Sequence, residues 1–456
     1  MKDIYAHIDR HLDDNLRVLM DLVRQPSVSA QNIGFDRAPG LVKAALERVG
    51  LQVEIVPVPN NGKPTVYGSA NAGRKATSNG KSRTLLFYTH YDVQPPEPLE
   101  LWESPPFELT RRDGNLYARG VADDKGNLFV LVQAVAQLAS DGELPVNVRF
   151  AFDGEEEIGG DSIVRWLEQD GRGADAALIL DGAMVRRDQP VFYVGVRGML
   201  YFHLRLRTGT TDMHSGMFGG AALNAAHALI AALAGVLPRA DGRLPDPLRA
   251  GVTPPSEAEL AAWAQLPPGA DQLAHYGAAS IGAGAAEEFY LHTFADTSLD
   301  VNGFASGSPD LVKTVLPVEA RANVSIRLAP GQDPDEIRQM FERLVRDAVP
   351  EGAELEIVLN GSGSRPAVTP TGSPAIRLAA DAFEQVVGAR PLLVRSGGTL
   401  PIYAGLVARG LPTLATGFGV ESEANVHAPN ENVPEEALEL GVATMREVFR
   451  RLGELG

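Results

Sequence analysis

His90 and Asp92 stand two residues apart in Thr89-His90-Tyr91-Asp92, directly after the apolar run Leu85-Leu86-Phe87-Tyr88. The spacing has a mechanical use. Alternate residues of an extended chain point to the same side, so Asp92 can accept the imidazole's second N–H and fix the tautomer that binds a metal. Three further acidic stretches follow: Asp123-Asp124, Glu155-Glu156-Glu157 and Asp181. Each alone has a plainer reading. Asp123 would serve as a helix cap, the three glutamates as a solvated run, Asp181 before Gly182 as a turn residue, and His90 as a satisfied core histidine. Together those readings weaken, because carboxylates gathered in one place repel each other unless cations lie among them. One or two histidines with several carboxylates suit Zn²⁺, Mn²⁺ or Co²⁺.

The elements that must bring these groups together alternate strand with helix. Residues 84–89, 146–152 and 177–180 read as buried strands and 124–139 as a mostly buried helix. That alternation predicts an α/β fold, a mainly parallel sheet covered by helices. His90 with Asp92, the three glutamates and Asp181 then fall at the carboxy ends of strands, the edge where such sheets bind ligands.

From about residue 198 the pattern changes. Leu200, Phe202, Leu204 and Leu206 alternate with polar neighbours, and a helix is expected over 221–235. Strands near 299–303 and 323–328, a helix opened by Asp333-Pro334-Asp335-Glu336, and a strand through Leu355, Ile357 and Leu359 complete a β-α-β-β-α-β order. That order suggests a ferredoxin-like α+β domain, with 236–285 as an insertion in it. Helices near 374–387 and 435–452 and a strand over Thr413–Thr416 resume the first pattern. The expected domains are 1–197 with 366–456, interrupted by 198–365.

Bulk properties narrow the function classes. A chain of 456 residues suggests two or three cores. The formal charge of −17 argues against nucleic acid or an anionic membrane as partner. With no cysteine, disulfides and thiolate metal sites are excluded, so any metal must rest on His, Asp and Glu. The amino-terminal stretch has amphipathic helical spacing (Ile8, Leu12, Leu16, Leu19, Leu22), is charged throughout, and does not read as a signal peptide. No run of 18 apolar residues is present to span a membrane, and a cytoplasmic setting is expected.

His90-x-Asp92, Gly120-x-x-Asp123-Asp124-Lys125-Gly126, Glu156-Glu157-x-Gly159, Asp181 and His427-x-x-Asn430-Glu431, in this order, resemble the di-metal exopeptidase family. That family includes acetylornithine deacetylase, succinyl-diaminopimelate desuccinylase, glutamate carboxypeptidase and the carnosinases. The stretches THYDVQPPEPLELWESPPFEL and DMHSGMFGG resemble the carnosinase and cytosolic nonspecific dipeptidase branch in particular. The resemblance implies a catalytic domain with an inserted lid and dimerisation domain, a homodimer, and two divalent metals per subunit, zinc first. Asp123 would bridge the metals, with His90 and Asp181 completing one site and Glu157 and His427 the other. A cis peptide would follow Asp123. Glu156 would be the general base and acid, Asp92 the residue that aims His90, and His214 an oxyanion donor reaching the other subunit's site. Thr314, Arg327, Gly398 and Thr399 would bind substrate. The implied reaction is hydrolysis of a small peptide, most simply a dipeptide; the alternatives are an N-acyl amino-acid deacylase or carboxypeptidase, and a catalytically silent relative. One departure stands out. In Arg395-Ser396-Gly397-Gly398-Thr399, Ser396 occupies the place where such dipeptidases tend to carry an acid for the substrate's free amino group.

Overall fold

The computed structural model describes residues 16–58, 62–73, 82–142, 144–282 and 284–455. Of the expected amino-terminal helix, 16–24 is helical, and Ile8 and Leu12 lie outside the described residues. The chain forms two compact units. One contains the chain up to Val194 together with Thr369–Val394 and Gly405–Gly456, and the other contains Gly195–Val368 with Arg395–Ala404. Ser396 and the glycines after it thus belong to the second unit.

In the first unit the sheet runs in the order Gln52–Val56, Thr65–Ala70, Asn147–Asp153, Thr84–His90, Ala176–Leu180, Thr413–Thr416, Val191–Val196. Its four central strands, from Asn147–Asp153 to Thr413–Thr416, are mutually parallel, and the strands beside them are antiparallel. The central strands carry near-continuous apolar runs because both faces are covered. Leu85, Phe87, Val148 and Phe150 are all buried, and the rings of Phe87 and Phe150 stack at 5.4 Å between centroids. The helix Lys125–Ser140 is buried nearly all round, packed against Glu435–Leu452, which in turn packs on Pro374–Val387. Register then places the chemistry. His90 lies opposite Asp153, and Leu180 opposite Thr416, so parallel neighbours end together and the segments that follow leave from one edge.

The second unit holds a four-stranded antiparallel sheet in the order Ser298–Ser306, Glu319–Leu328, Gly198–Arg207, Glu354–Leu359. With the helices Ala225–Ala234 and Pro334–Asp347 this is the ferredoxin-like arrangement that the alternating pattern predicts. Phe202 of the sheet stacks on Phe341 of the second helix at 4.6 Å, and both are fully buried. Asp333 caps that helix as expected, accepting the N–H groups of Asp335 and Glu336. Residues 236–285 supply the short helices Glu257–Trp263 and Gly269–His275, the first opened by a capping box of Ser256 and Glu259.

Candidate metal centre

Asp123 is the hinge of the site. Its Oδ1 lies 2.9 Å from His90 Nε2 and its Oδ2 2.9 Å from His427 Nε2. His90 Nε2 is also 3.7 Å from Asp181, and His427 Nε2 is 3.2 Å from Glu157. Two groups able to hold a cation result, His90–Asp123–Asp181 and Asp123–Glu157–His427, with Asp123 common to both. All five residues expected as ligands therefore come together, one carboxylate serving two sites. The donors are imidazole nitrogens and carboxylate oxygens only, a set that suits Zn²⁺, Mn²⁺ or Co²⁺.

The loop carrying Asp123 is shaped by glycines and held by a distant acid. Gly120 has φ +84°, in the left-handed region, and a Cβ on Gly126 would sit 2.1 Å from the Val121 carbonyl oxygen. The Asp123–Asp124 peptide is cis, as the resemblance implied. Glu431, fully buried, accepts the N–H groups of Gly120, Ala122 and Asp123 at 2.9–3.1 Å and a hydrogen bond from Arg119 at 2.7 Å. Asp124 faces inward, accepting from Thr89 Oγ1, the His90 N–H and Asn127 Nδ2, so it ties the end of the strand to the start of the helix.

Asp92 does more than the spacing foretold. His90 Nδ1 is 3.3 Å from its carboxylate and 3.1 Å from its backbone carbonyl, so both oxygens aim the ring. The same carboxylate accepts the N–H groups of Glu156 (3.3 Å) and Glu157 (3.1 Å), fixing the short helical turn Glu156–Ile158 that presents both glutamates. Gln94 grips Glu157, its N–H on one carboxylate oxygen at 3.0 Å and its amide on the other at 2.9 Å. Glu155 turns aside to accept the Lys63 N–H at 2.7 Å. Gln94 lay within a stretch that carried the resemblance but had no role assigned, Arg119 was marked by no motif, and Glu431 was visible only as the end of the last one.

The charges of the cluster shift one another's titration. Hydrogen bonds to Asp123 and Glu157, against some burial, push His427 up to about 10. Burial alone would lower His90, but its bonds to Asp123 and Asp181 outweigh it and raise it well above an ordinary imidazole. The same two imidazoles pull Asp123 well below the usual carboxylate range despite its burial. Burial pushes Glu156 up to about 8, with the charges of Asp181, Asp123 and Glu157 adding to it and His90 opposing. Cations entering here would take the place of protons.

The remaining expected residues lie on the second unit. His214 and Thr314 are neighbours: Met213–His214 pairs with Val315–Leu316, and the Thr314 carbonyl accepts from Ser215 at 2.9 Å. His214 is exposed, its Nδ1 accepting the Gly216 N–H. Arg327 donates to Thr399 Oγ1 at 2.7 Å. Ser396 Oγ accepts the Gly398 N–H at 3.0 Å.

Peptidase family M20/M25/M40 matches residues 86–451 of the chain. A Beta-Ala-His dipeptidase of Homo sapiens is 26% identical over 95% of this chain and 89% of its own length. A cysteinylglycine-S-conjugate dipeptidase of Corynebacterium striatum is 28% identical over 87% of this chain and 86% of its own. Among solved structures, an M20 family metallo-carboxypeptidase of Sulfolobus solfataricus superposes with a TM-score of 0.85 at 27% identity, covering 97% of this chain and 99% of that one.

Proposed function

The chain belongs to peptidase family M20/M25/M40, and from that premise we propose that it is a two-metal hydrolase of dipeptides. The observation that carries this reading is Asp123, whose two oxygens each face a different imidazole and serve two ligand groups. Zinc is the ion we assign, on the mixture of two imidazoles with carboxylates. When bound, such ions would lower the pKa of a water and polarise the carbonyl to be attacked. The chain's own work is proton handling and orientation. Glu156 takes the proton of the attacking water on its carboxylate and returns it to the leaving nitrogen. Asp92 holds His90 in one tautomer, and Gln94 and Asp92 fix Glu157 in place. His214 donates to the developing oxyanion, and Thr314, Arg327, Gly398 and Thr399 bind the substrate, the guanidinium suiting its carboxylate. The resemblance extends these roles to a homodimer, in which His214 serves the partner subunit.

Removal of metal tests the centre directly. Dialysis against a chelator should abolish hydrolysis, and Zn²⁺, Mn²⁺ or Co²⁺ should restore it. Because the free cluster holds protons on its imidazoles, metal binding should release them, and apparent affinity should rise roughly tenfold per pH unit for each proton displaced. The sign follows from His427, whose raised pKa means proton competition weakens as pH climbs toward 10. Calorimetric titrations in buffers of different ionisation enthalpy count those protons. Activity retained in the fully stripped protein would refute the mechanism.

A second reading is favoured by Ser396. Its hydroxyl is engaged by the Gly398 N–H and brings no charge to meet a substrate ammonium. That supports a carboxypeptidase or N-acyl amino-acid deacylase, and the similarity to the Sulfolobus metallo-carboxypeptidase fits it. A dipeptide library beside matching N-acetylated amino acids decides between them. Cleavage of the dipeptides is the expected result; cleavage of the acetylated set alone discards the dipeptidase reading.

A further inference from the structure

Arg197 follows the strand Val191–Val196, and its side chain is buried. A guanidinium removed from water ordinarily meets a carboxylate. This one bonds neutral oxygens instead. Nε donates to the Gly397 carbonyl at 2.9 Å, and Nη1 to Ser298 Oγ at 3.1 Å and to the His292 and Asp296 carbonyls at 3.4 Å. Its backbone N–H donates to the Gly398 carbonyl at 3.1 Å. The Asp296 carboxylate is occupied by Arg249, two-pronged, at 2.9 Å. Burial, and then the like charge of Arg327, push Arg197 down to about 10 against the opposing charges of Asp300 and Asp296, neither of whose carboxylates is hydrogen-bonded to its guanidinium. Arg327 meanwhile spends one N–H on the Thr399 hydroxyl. Two guanidinium groups thus act on one turn, 397–399, and the turn itself contributes no acid.

We infer that Arg197 is the positioning residue of a carboxylate subsite: it clamps the 397–399 turn from behind and, with Arg327, makes that turn selective for the free α-carboxylate at the substrate's carboxy end. The inference rests on the hydrolase reading above, in which Arg327 already meets the substrate's carboxylate, and adds to it the residue that holds the turn in place. A fork spread from the Gly397 carbonyl to Ser298 Oγ and the His292 and Asp296 carbonyls cannot be replaced by a single ammonium.

The test compares a dipeptide with its carboxy-terminal amide in wild type, Arg197→Lys and Arg197→Ala. Lysine keeps the charge and loses the fork, and melting curves show which variants are folded. For the free acid, KM should rise at least tenfold in Arg197→Lys with kcat within about twofold. The amide's kcat/KM and the metal content per chain should stay unchanged. Gly397→Ala disturbs the same turn while keeping the Arg197 guanidinium, since its Cβ would sit 2.9 Å from the Thr293 carbonyl oxygen and only in ordinary contact, 3.6 Å, with Arg197 Nη2, and it should give the same acid-selective loss. Equal losses for acid and amide, or a fall in kcat at constant KM, would make Arg197 a structural residue and overturn the inference. If wild type cleaves neither compound, the hydrolase reading fails instead. Calorimetric binding of the acid and the amide then judges the subsite alone: acid-selective weakening in Arg197→Lys supports it, and equal binding overturns it.

Discussion

Glu156→Gln should leave both metal sites filled and cost roughly 10²–10⁴-fold in turnover. The amide is nearly isosteric with the carboxylate but takes up no proton at neutral pH. Glu156 belongs to neither of the two ligand groups, while its neighbour Glu157 sits 3.2 Å from His427 and is gripped by Gln94. The paired variant Glu157→Gln should therefore weaken one ion and leave the other bound. Metal analysis beside kinetics separates the two. Were Glu156→Gln to empty a site while Glu157→Gln kept both, the roles of the adjacent glutamates would have to be exchanged.

Asp123→Ala should reduce bound metal from two ions per chain to none under conditions where His427→Ala retains one. The asymmetry follows from the shared carboxylate, the single residue present in both ligand groups. Removing it also leaves His90 and His427 without their 2.9 Å acceptors, so both imidazoles should titrate closer to their ordinary value in the metal-free variant. The affinity loss should exceed the roughly 10–100-fold expected when only an outer hydrogen-bond partner of a metal ligand is lost. Retention of one tightly held ion in Asp123→Ala would show that the carboxylate does not bridge.

The central strands and the ligand set were readable from the sequence for definite reasons. Strands such as Thr84–His90 are buried on both faces, so their apolar runs are unbroken, and the sharp change at residue 198 to strict alternation marks a sheet with one face exposed. His90, the glutamates and Asp181 were readable jointly, as separate motifs united by a common sheet edge, whereas the ligand roles and His427 came only from the family resemblance. What stayed hidden has a common cause. Glu431 acts on backbone N–H groups more than 300 residues away, Arg197 on carbonyls of a glycine turn 200 residues on, and Asp92 on the amides of Glu156 and Glu157. Bonds to the main chain leave no mark on the partner's side chain, and no periodicity or motif reports them. The return of Arg395–Ala404 to the second unit was hidden for a different reason: it depends on side-chain partners far away in sequence, such as the buried pair of Arg395 with Glu259, which no local spacing reports.

The grip of Glu431 on the Asp123 loop also has a consequence for how the protein is made. Asp123 leaves the ribosome 308 residues ahead of the carboxylate that shapes its loop, and 304 ahead of His427. At roughly 5–20 residues per second, that interval is on the order of 15–60 s. During it, a nascent chain carries His90, Asp123, Glu157 and Asp181 without the means to hold them as a bridged pair of sites. On the two-metal reading, full metal loading would wait until residues 427 and 431 have been made, and a chain halted before residue 427 should be an incomplete metal binder, distinguishable from the full chain by its ion content.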